Sequence, residues 1–130
     1  MLKVFVYGTL KPGKSNYDRY CAGKAIAEIP AFARGNLYAL PLGYPAMTLG
    51  ASKVWGVLLI FNDPEILTSL DRLEDYDPDR AVEENEYQRQ EISLYNPAGK
   101  PLGQAWAYLM MPESVEELGG RFLASGCWIE

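Results

Sequence analysis

At 130 residues, 48% apolar and 22% charged, the chain has the make-up of a globular protein with room for one core, and a single domain over 1–130 is expected. The net charge of −5, with Lys and Arg scattered rather than gathered, argues against nucleic acid or an anionic membrane surface as partner. Histidine is absent, which excludes Ser-His-Asp and Cys-His sites and histidine metal centres and leaves acid–base chemistry to carboxylates, Tyr, Lys or the substrate.

The first predicted element is a strand over residues 2–7, in which Val4, Phe5 and Val6 form an apolar run that stops at Gly8. This N-terminus lacks the apolar core and cleavage site of a signal peptide. No segment nears the ~18 apolar residues of a membrane helix, so a cytoplasmic protein is expected. The next residues support two incompatible readings. Gly8 to Ser15 satisfies G-x-x-x-x-G-K-S, the phosphate-cradling loop of nucleotide hydrolases. Alternatively, Tyr7-Gly8-Thr9-Leu10 is a short turn whose backbone N–H groups hold a carboxylate.

The nucleotide reading even finds an apolar strand ending in an acid, Leu58-Leu59-Ile60-Phe61-Asn62-Asp63. Against it, Pro12 removes an N–H from the loop that would bind phosphate, and Gly23 soon interrupts the helix that should follow Lys14. Such a fold also needs a parallel sheet, whereas the second half of this chain reads as a hairpin. Asn62 and Asp63 are explained more simply as a helix cap. The carboxylate-holding turn is the favoured reading.

A short helix or turn is placed over 17–21, capped by Ser15 or Asn16, and strands follow over 25–29, 35–40 and 54–61. The clearest helix opens at Asn62-Asp63-Pro64-Glu65, where a capping side chain precedes a proline and an acid. It runs through Ile66, Leu67, Leu70 and Leu73, ends near Asp75, and is broken by Tyr76-Asp77-Pro78. A polar loop, 79–85, leads to strands over 86–95 and 104–111, joined as an antiparallel hairpin by Asn96-Pro97-Ala98-Gly99. Residues 113–118 form one more helical turn, stopped by Gly119-Gly120, and an irregular tail holds Gly126-Cys127-Trp128. The expected class is α+β: a curled, largely antiparallel, barrel-like mixed sheet with one principal helix packed on it. Cys21 and Cys127 read as free thiols in a reducing compartment.

Among the acids Glu74 stands apart. Leu67, Leu70 and Glu74 share one side of the principal helix, so Glu74 continues the stripe that packs on the sheet. At the helix C-terminus the dipole disfavours its charge, and partial dehydration raises its proton affinity, as suits a general base near neutrality. Solvent exposure is the plainer expectation for any helix carboxylate. Asp75, Asp77, Asp79, Glu83, Glu84 and Glu86 form a charged run read as a solvated loop, and Asp71 is expected to pair with Arg72 or a lysine. Trp55, Trp106, Tyr38 and Tyr108 are read as core aromatics. Tyr108 shares a strand face with Trp106 and can present its hydroxyl to a cleft.

Several of these segments together resemble the γ-glutamylcyclotransferase-like family, in particular its small bacterial and γ-glutamylamine-type members. Tyr7-Gly8-Thr9-Leu10-Lys11 is similar to the family's Y-G-T-L loop. Gly35-Asn36-Leu37-Tyr38 and Gly43-Tyr44-Pro45-Ala46 resemble its G-x-L-Y strand and G-Y-P-A turn. Leu70-Asp71-Arg72-Leu73-Glu74 resembles its L-D-x-x-E helix end, and Tyr87-Gln88-Arg89 and Trp106-Ala107-Tyr108 match in order and spacing. The chain departs from that pattern at Asp75, where relatives often carry glycine, and at Cys127, where a G-D-W-like tail is common.

The resemblance implies a metal-free transferase or lyase that acts on a small γ-glutamyl amide, a γ-glutamyl amino acid or γ-glutamylamine, and releases 5-oxoproline and a free amine without a cofactor. Carried over by motif, Glu74 is the catalytic acid/base and Tyr7, Gly8, Thr9 and Leu10 hold the glutamyl end, with Tyr108 beside them. A non-catalytic module that binds a carboxylate-bearing small molecule on the same fold stands as the alternative, and a nucleotide-binding loop protein as the third. The leaving amine and the oligomeric state are left open.

Overall fold

The computed structural model of the chain describes residues 1–8, 10, 11, 14, 17 and 23–128. The strands described are β1 (Leu2–Val6), β2 (Ala25–Ala39), β3 (Pro45–Phe61), β4 (Gln88–Tyr95), β5 (Pro101–Leu109) and β6 (Arg121–Phe122). Between them lie helices α1 (Ile66–Leu73) and α2 (Pro112–Glu117) and a 3-10 turn over Val82–Glu84. The short helix or turn expected over 17–21 falls, Tyr17 apart, outside the described residues.

The strands follow one another in the order β3-β1-β5-β4-β2-β6, and β2 also pairs with β3, so the sheet returns on itself as a ring with β6 appended. The β1–β5 contact is parallel and the other pairings are antiparallel. This is the expected α+β class with a curled, largely antiparallel mixed sheet. It is not a regular barrel, because β4 meets β2 only through Phe32 and Ala33.

Two predicted strands, 25–29 and 35–40, are halves of the single strand β2. Pro30 reads as a breaker in sequence, but within β2 it faces Val57 at a position where β4 has not yet joined. Its missing N–H therefore takes no bond from a second neighbour. The strand predicted over 54–61 likewise starts much earlier, at Pro45. Its register against β2 jumps from Arg34↔Lys53 to Gly35↔Leu49, leaving the exposed residues 50–52 bulged out. That bulge bends the long hairpin and lets its two strands reach different neighbours, which closes the ring.

Side chains alternate across the ring wall. Phe5 and Tyr7 point inward with Leu37, Met47, Val54, Leu58 and Leu94. Ala31, Ala33, Ala105 and Ala107 share that interior, and their small size leaves the narrow ring room for the larger rings and branched chains. Val4 and Val6 face outward, where Leu59, Phe61, Ile66 and Leu70 form a second core under α1. β1 is thus buried on both faces, as its unbroken apolar run implies.

Helix α1 opens as expected on Asp63-Pro64: the Asp63 Oδ1 accepts the N–H of Glu65 at 2.9 Å. It closes on a Schellman motif, with Tyr76 N–H donating to the Asp71 carbonyl (2.8 Å) and Asp75 N–H to the Arg72 carbonyl (3.2 Å). The motif requires a left-handed residue, and here Asp75 supplies it with φ of 52°. A glycine at this position would suit the same conformation without a Cβ penalty. Asp75→Gly should raise stability by about 1 kcal/mol, because the Asp75–Arg80 ion pair it removes is exposed and contributes little. Chemical denaturation at neutral pH would measure the gain.

Candidate active site

The C-terminal ends of β1 and β5 and the N-terminal ends of β3 and β4 lie at the same end of the ring, and a cavity of about 350 Å³ opens there. Its wall takes Tyr7, Gly8 and Leu10 from β1 and the following turn, Tyr44 and Pro45 from the β2–β3 connection, Leu73 and Glu74 from the end of α1, Glu86 and Tyr87 from the approach to β4, and Tyr108 from β5. The candidate general base and the first loop therefore share one cleft.

Glu74 caps the C-terminus of α1, one turn beyond the fully buried Leu70. The carboxylate is half-buried and makes no hydrogen bond or ion pair among the described residues. Burial, followed by the negative charge of Glu86, raises its pKa from 4.5 to about 7. Asp75, the next residue along the chain, is exposed and is not a cause of the shift.

Tyr7 lines the cavity, but its hydroxyl is already engaged: it donates to the Tyr108 carbonyl at 2.5 Å and accepts the Met47 N–H at 3.3 Å. Desolvation, then the charge of Glu74, pushes its ionisation far above the ordinary tyrosine range. Tyr7 thus bolts β1 to β3 and β5 beneath the site. Leu10 is 5% exposed and belongs to the outer core while also bordering the cavity. Thr9, also expected to hold the glutamyl end, lies outside the described residues. The adjoining turn is closed by Lys11 N–H donating to the Gly8 carbonyl (3.0 Å).

Gly8 allows the close approach of Pro45. A Cβ there would stand 2.7 Å from Pro45 Cγ and 3.1 Å from Cδ. Because the proline ring cannot swing away, Gly8→Ala should cost roughly 1–3 kcal/mol and displace one rim of the cleft. A lowered Tm together with a raised KM would be the expected pair of readouts.

Tyr108 and Asp71 differ from expectation. The Tyr108 hydroxyl donates to Asp71 Oδ1 at 2.7 Å instead of standing free in the cleft. Asp71 pairs with neither Arg72 nor a lysine; its Oδ2 meets Arg89 Nη1 at 2.5 Å. Arg89 in turn lies over the rings of Trp106 (4.8 Å) and Tyr76 (5.1 Å). The pair comes from β4 and α1, far apart in sequence, so no local spacing announces it.

Among the described wall residues three with polar side chains were not assigned to the site from sequence: Glu86, Tyr44 and Tyr87. Glu86 was read as part of a solvated run, yet its Oε1 accepts the Tyr44 hydroxyl at 2.6 Å and it faces the cavity. The cause lies one residue earlier. Asn85 is 8% exposed; its Oδ1 accepts from Arg80 Nε (3.0 Å) and from Asp77 N–H (3.1 Å), and its Nδ2 donates to the Asp77 carbonyl (3.0 Å). That staple folds the charged loop back onto the ring and turns Glu86 inward. Tyr87 donates to the Pro45 carbonyl at 2.8 Å. The available signal was that Glu86 directly precedes the Tyr87-Gln88-Arg89 segment.

The nucleotide-loop reading needs a sheet of parallel strands, whereas among the described residues only β1 and β5 pair in parallel. Within that loop Pro12, Gly13 and Ser15 lie outside the described residues. No helix among the described residues is long and apolar enough to cross a membrane.

Comparison with known proteins agrees with this picture. The family model described as "Gamma-glutamyl cyclotransferase, AIG2-like" matches residues 4–130. A protein of Vibrio cholerae serotype O1 named "Putative gamma-glutamylcyclotransferase" is 32% identical over 106 residues, covering 82% of this chain and 79% of that protein. A Halalkalibacterium halodurans protein of the same designation is 35% identical over 101 residues, covering 76% and 82%. The crystal structure of an AIG2-like protein from Mus musculus superposes with a TM-score of 0.61 at 21% identity, covering 95% of this chain and 86% of that one.

Proposed function

The chain belongs to the gamma-glutamyl cyclotransferase, AIG2-like family, and from that premise we propose that it closes the glutamyl unit of a γ-glutamyl amide into 5-oxoproline and frees the amine. The observation that carries this reading is the half-buried Glu74 carboxylate, without a partner among the described residues, which lines one cavity with Gly8.

The chemistry follows from what each group can do. The α-ammonium of the substrate is not nucleophilic, so Glu74 takes one of its protons; a carboxyl raised to about 7 does this near neutrality. The freed nitrogen lone pair attacks the γ-carbonyl carbon, and the carbonyl electrons move to oxygen. As the C–N bond to the leaving amine breaks, Glu74 returns its proton to that nitrogen; the ring nitrogen then gives up its own extra proton through the carboxylate to the freed amine, which leaves a neutral lactam and an ammonium product. Five-membered ring closure is intramolecular, so holding the glutamyl chain folded supplies much of the acceleration. In this reading backbone N–H groups of the turn after β1 receive the α-carboxylate or the developing oxyanion. Tyr7, anchored at its hydroxyl, offers its ring as one wall, and Tyr108 offers another.

The test is direct. Pure protein incubated with γ-glutamyl amino acids and γ-glutamylamines should release 5-oxoproline and free amine in equal amounts. Absence of product across the panel, with ligand binding retained, would leave the non-catalytic binding role instead.

A further inference from the structure

The cavity wall carries two carboxylates, Glu74 and Glu86, and no Lys or Arg side chain among its described residues. The two acids arrive from opposite sides, Glu74 from the end of α1 and Glu86 from the approach to β4. They are partnered differently. Glu74 has no hydrogen-bond donor among the described residues, whereas Tyr44 donates to one oxygen of Glu86 and fixes its plane. Among the described residues no cation balances this pair, so the cleft suits a ligand that brings positive charge to it.

We propose that Glu86 is the residue that binds the α-ammonium of the γ-glutamyl unit, receiving an N–H on the oxygen Tyr44 leaves free and turning the amine toward Glu74. This rests on the cyclotransferase reading of the same site. Binding the ammonium between two carboxylates leaves one acid, Glu74, to take the proton while the other, Glu86, holds the nitrogen by a second N–H. Tyr44 holds Glu86 in place by donating its hydroxyl to it, and burial followed by the bond to Glu86 pushes Tyr44 itself up to about 12.

Glu86 also acts on Glu74 through its charge. The titratable groups facing Glu74 are Tyr7 from β1, Tyr44 from the β2–β3 connection, Glu86 and Tyr87 from the approach to β4, and Tyr108 from β5. All four tyrosines are held well above their ordinary range and stay neutral at working pH. Asp71, on the same helix, is neutralised by Arg89. Among the described residues Glu86 is therefore the charge that titration of Glu74 feels.

The experiment compares L-glutamine, which carries the α-ammonium, with 4-carbamoylbutanoate, the same amide without it. Calorimetry is run on Glu74→Gln protein, in which ring closure is blocked. The expected result is tighter binding of L-glutamine than of the analogue. Adding Glu86→Gln should weaken L-glutamine by roughly 10- to 100-fold and leave the analogue unchanged or tighter. Equal weakening of both ligands, no change in either, or failure of L-glutamine to bind the Glu74→Gln protein would each overturn the assignment. Tyr44→Phe, which keeps the carboxylate, should give a smaller loss in the same direction, and thermal melts establish that each variant is folded. A second readout uses turnover: in the single Glu86→Gln variant the acid limb of kcat/KM should move to lower pH. Since the binding arm needs no turnover, the absence of 5-oxoproline would remove the cyclotransferase reading without touching the ammonium assignment.

Discussion

Glu74→Gln should abolish turnover and stabilise the protein, a combination that few substitutions produce. The amide keeps the size of the acid but can neither accept the α-ammonium proton nor return one, so about 10²–10⁴ of the rate is lost. The stability effect follows from linkage. In the unfolded chain the carboxyl titrates near 4.5, and in the fold burial raises it to about 7. Below pH 4.5 Glu74 is protonated in both states and the variant gains nothing. Between 4.5 and about 7 the unfolded chain releases a proton that the folded chain retains, so the wild type loses stability as pH rises. Above about 7 the gap is constant. At roughly 1.4 kcal/mol per tenfold change in proton affinity, it reaches at most about 3 kcal/mol, reduced by water entering the cleft. Denaturant titrations of both proteins at pH 4, 6 and 8 would measure it. A variant no more stable than wild type at pH 8 would mean that the carboxylate is solvated, and retained turnover would remove it from the mechanism.

Asp71→Ala should act in the opposite way, through stability first. Its carboxylate receives Arg89 at 2.5 Å and the Tyr108 hydroxyl at 2.7 Å, and both sides of the ion pair are largely covered. Arg89 Nε is already buried without a hydrogen-bond partner, so losing Asp71 leaves the guanidinium between Trp106 and Tyr76 with a smaller share of its donors satisfied. Breaking such a pair from one side costs about 3 kcal/mol, a fall in Tm of the order of 10 °C for a chain of this size. Activity should fall as well, because Asp71 holds the last turn of α1 against β4 and β5 and so sets where Glu74 stands. Replacing both partners, as in Asp71→Leu with Arg89→Met, should recover much of the stability, since no charge is then stranded. A double variant as unstable as Asp71→Ala would show that the pair matters through its shape and not its charge.

The fold was legible where the code is local. The unbroken run Val4-Phe5-Val6, the Asp63-Pro64 helix entry and the Asn96-to-Gly99 hairpin each depend on neighbours a few residues apart, and each stands where the sequence put it. The long hairpin was read too short, because Pro30 and the bulged residues 50–52 look like ends of strands. Whether a proline costs a ladder bond depends on which strand lies beside it, and that is a property of the assembled sheet.

For the site, helical spacing by itself brought Glu74 to the greasy side of α1, and the loop after β1 drew attention through its glycine. Those two readings needed only the pitch of a helix and the end of a strand. Tertiary structure alone decided that the two face one another, that Tyr7 and Tyr108 have their hydroxyls occupied, and that Glu86 turns into the cleft. The last depends on Asn85 gripping Arg80 and Asp77, a contact between side chains whose directions no periodicity encodes. Charge written along a chain says how many acids there are; desolvation and partners, set by the packed fold, say which of them can take up a proton near neutrality.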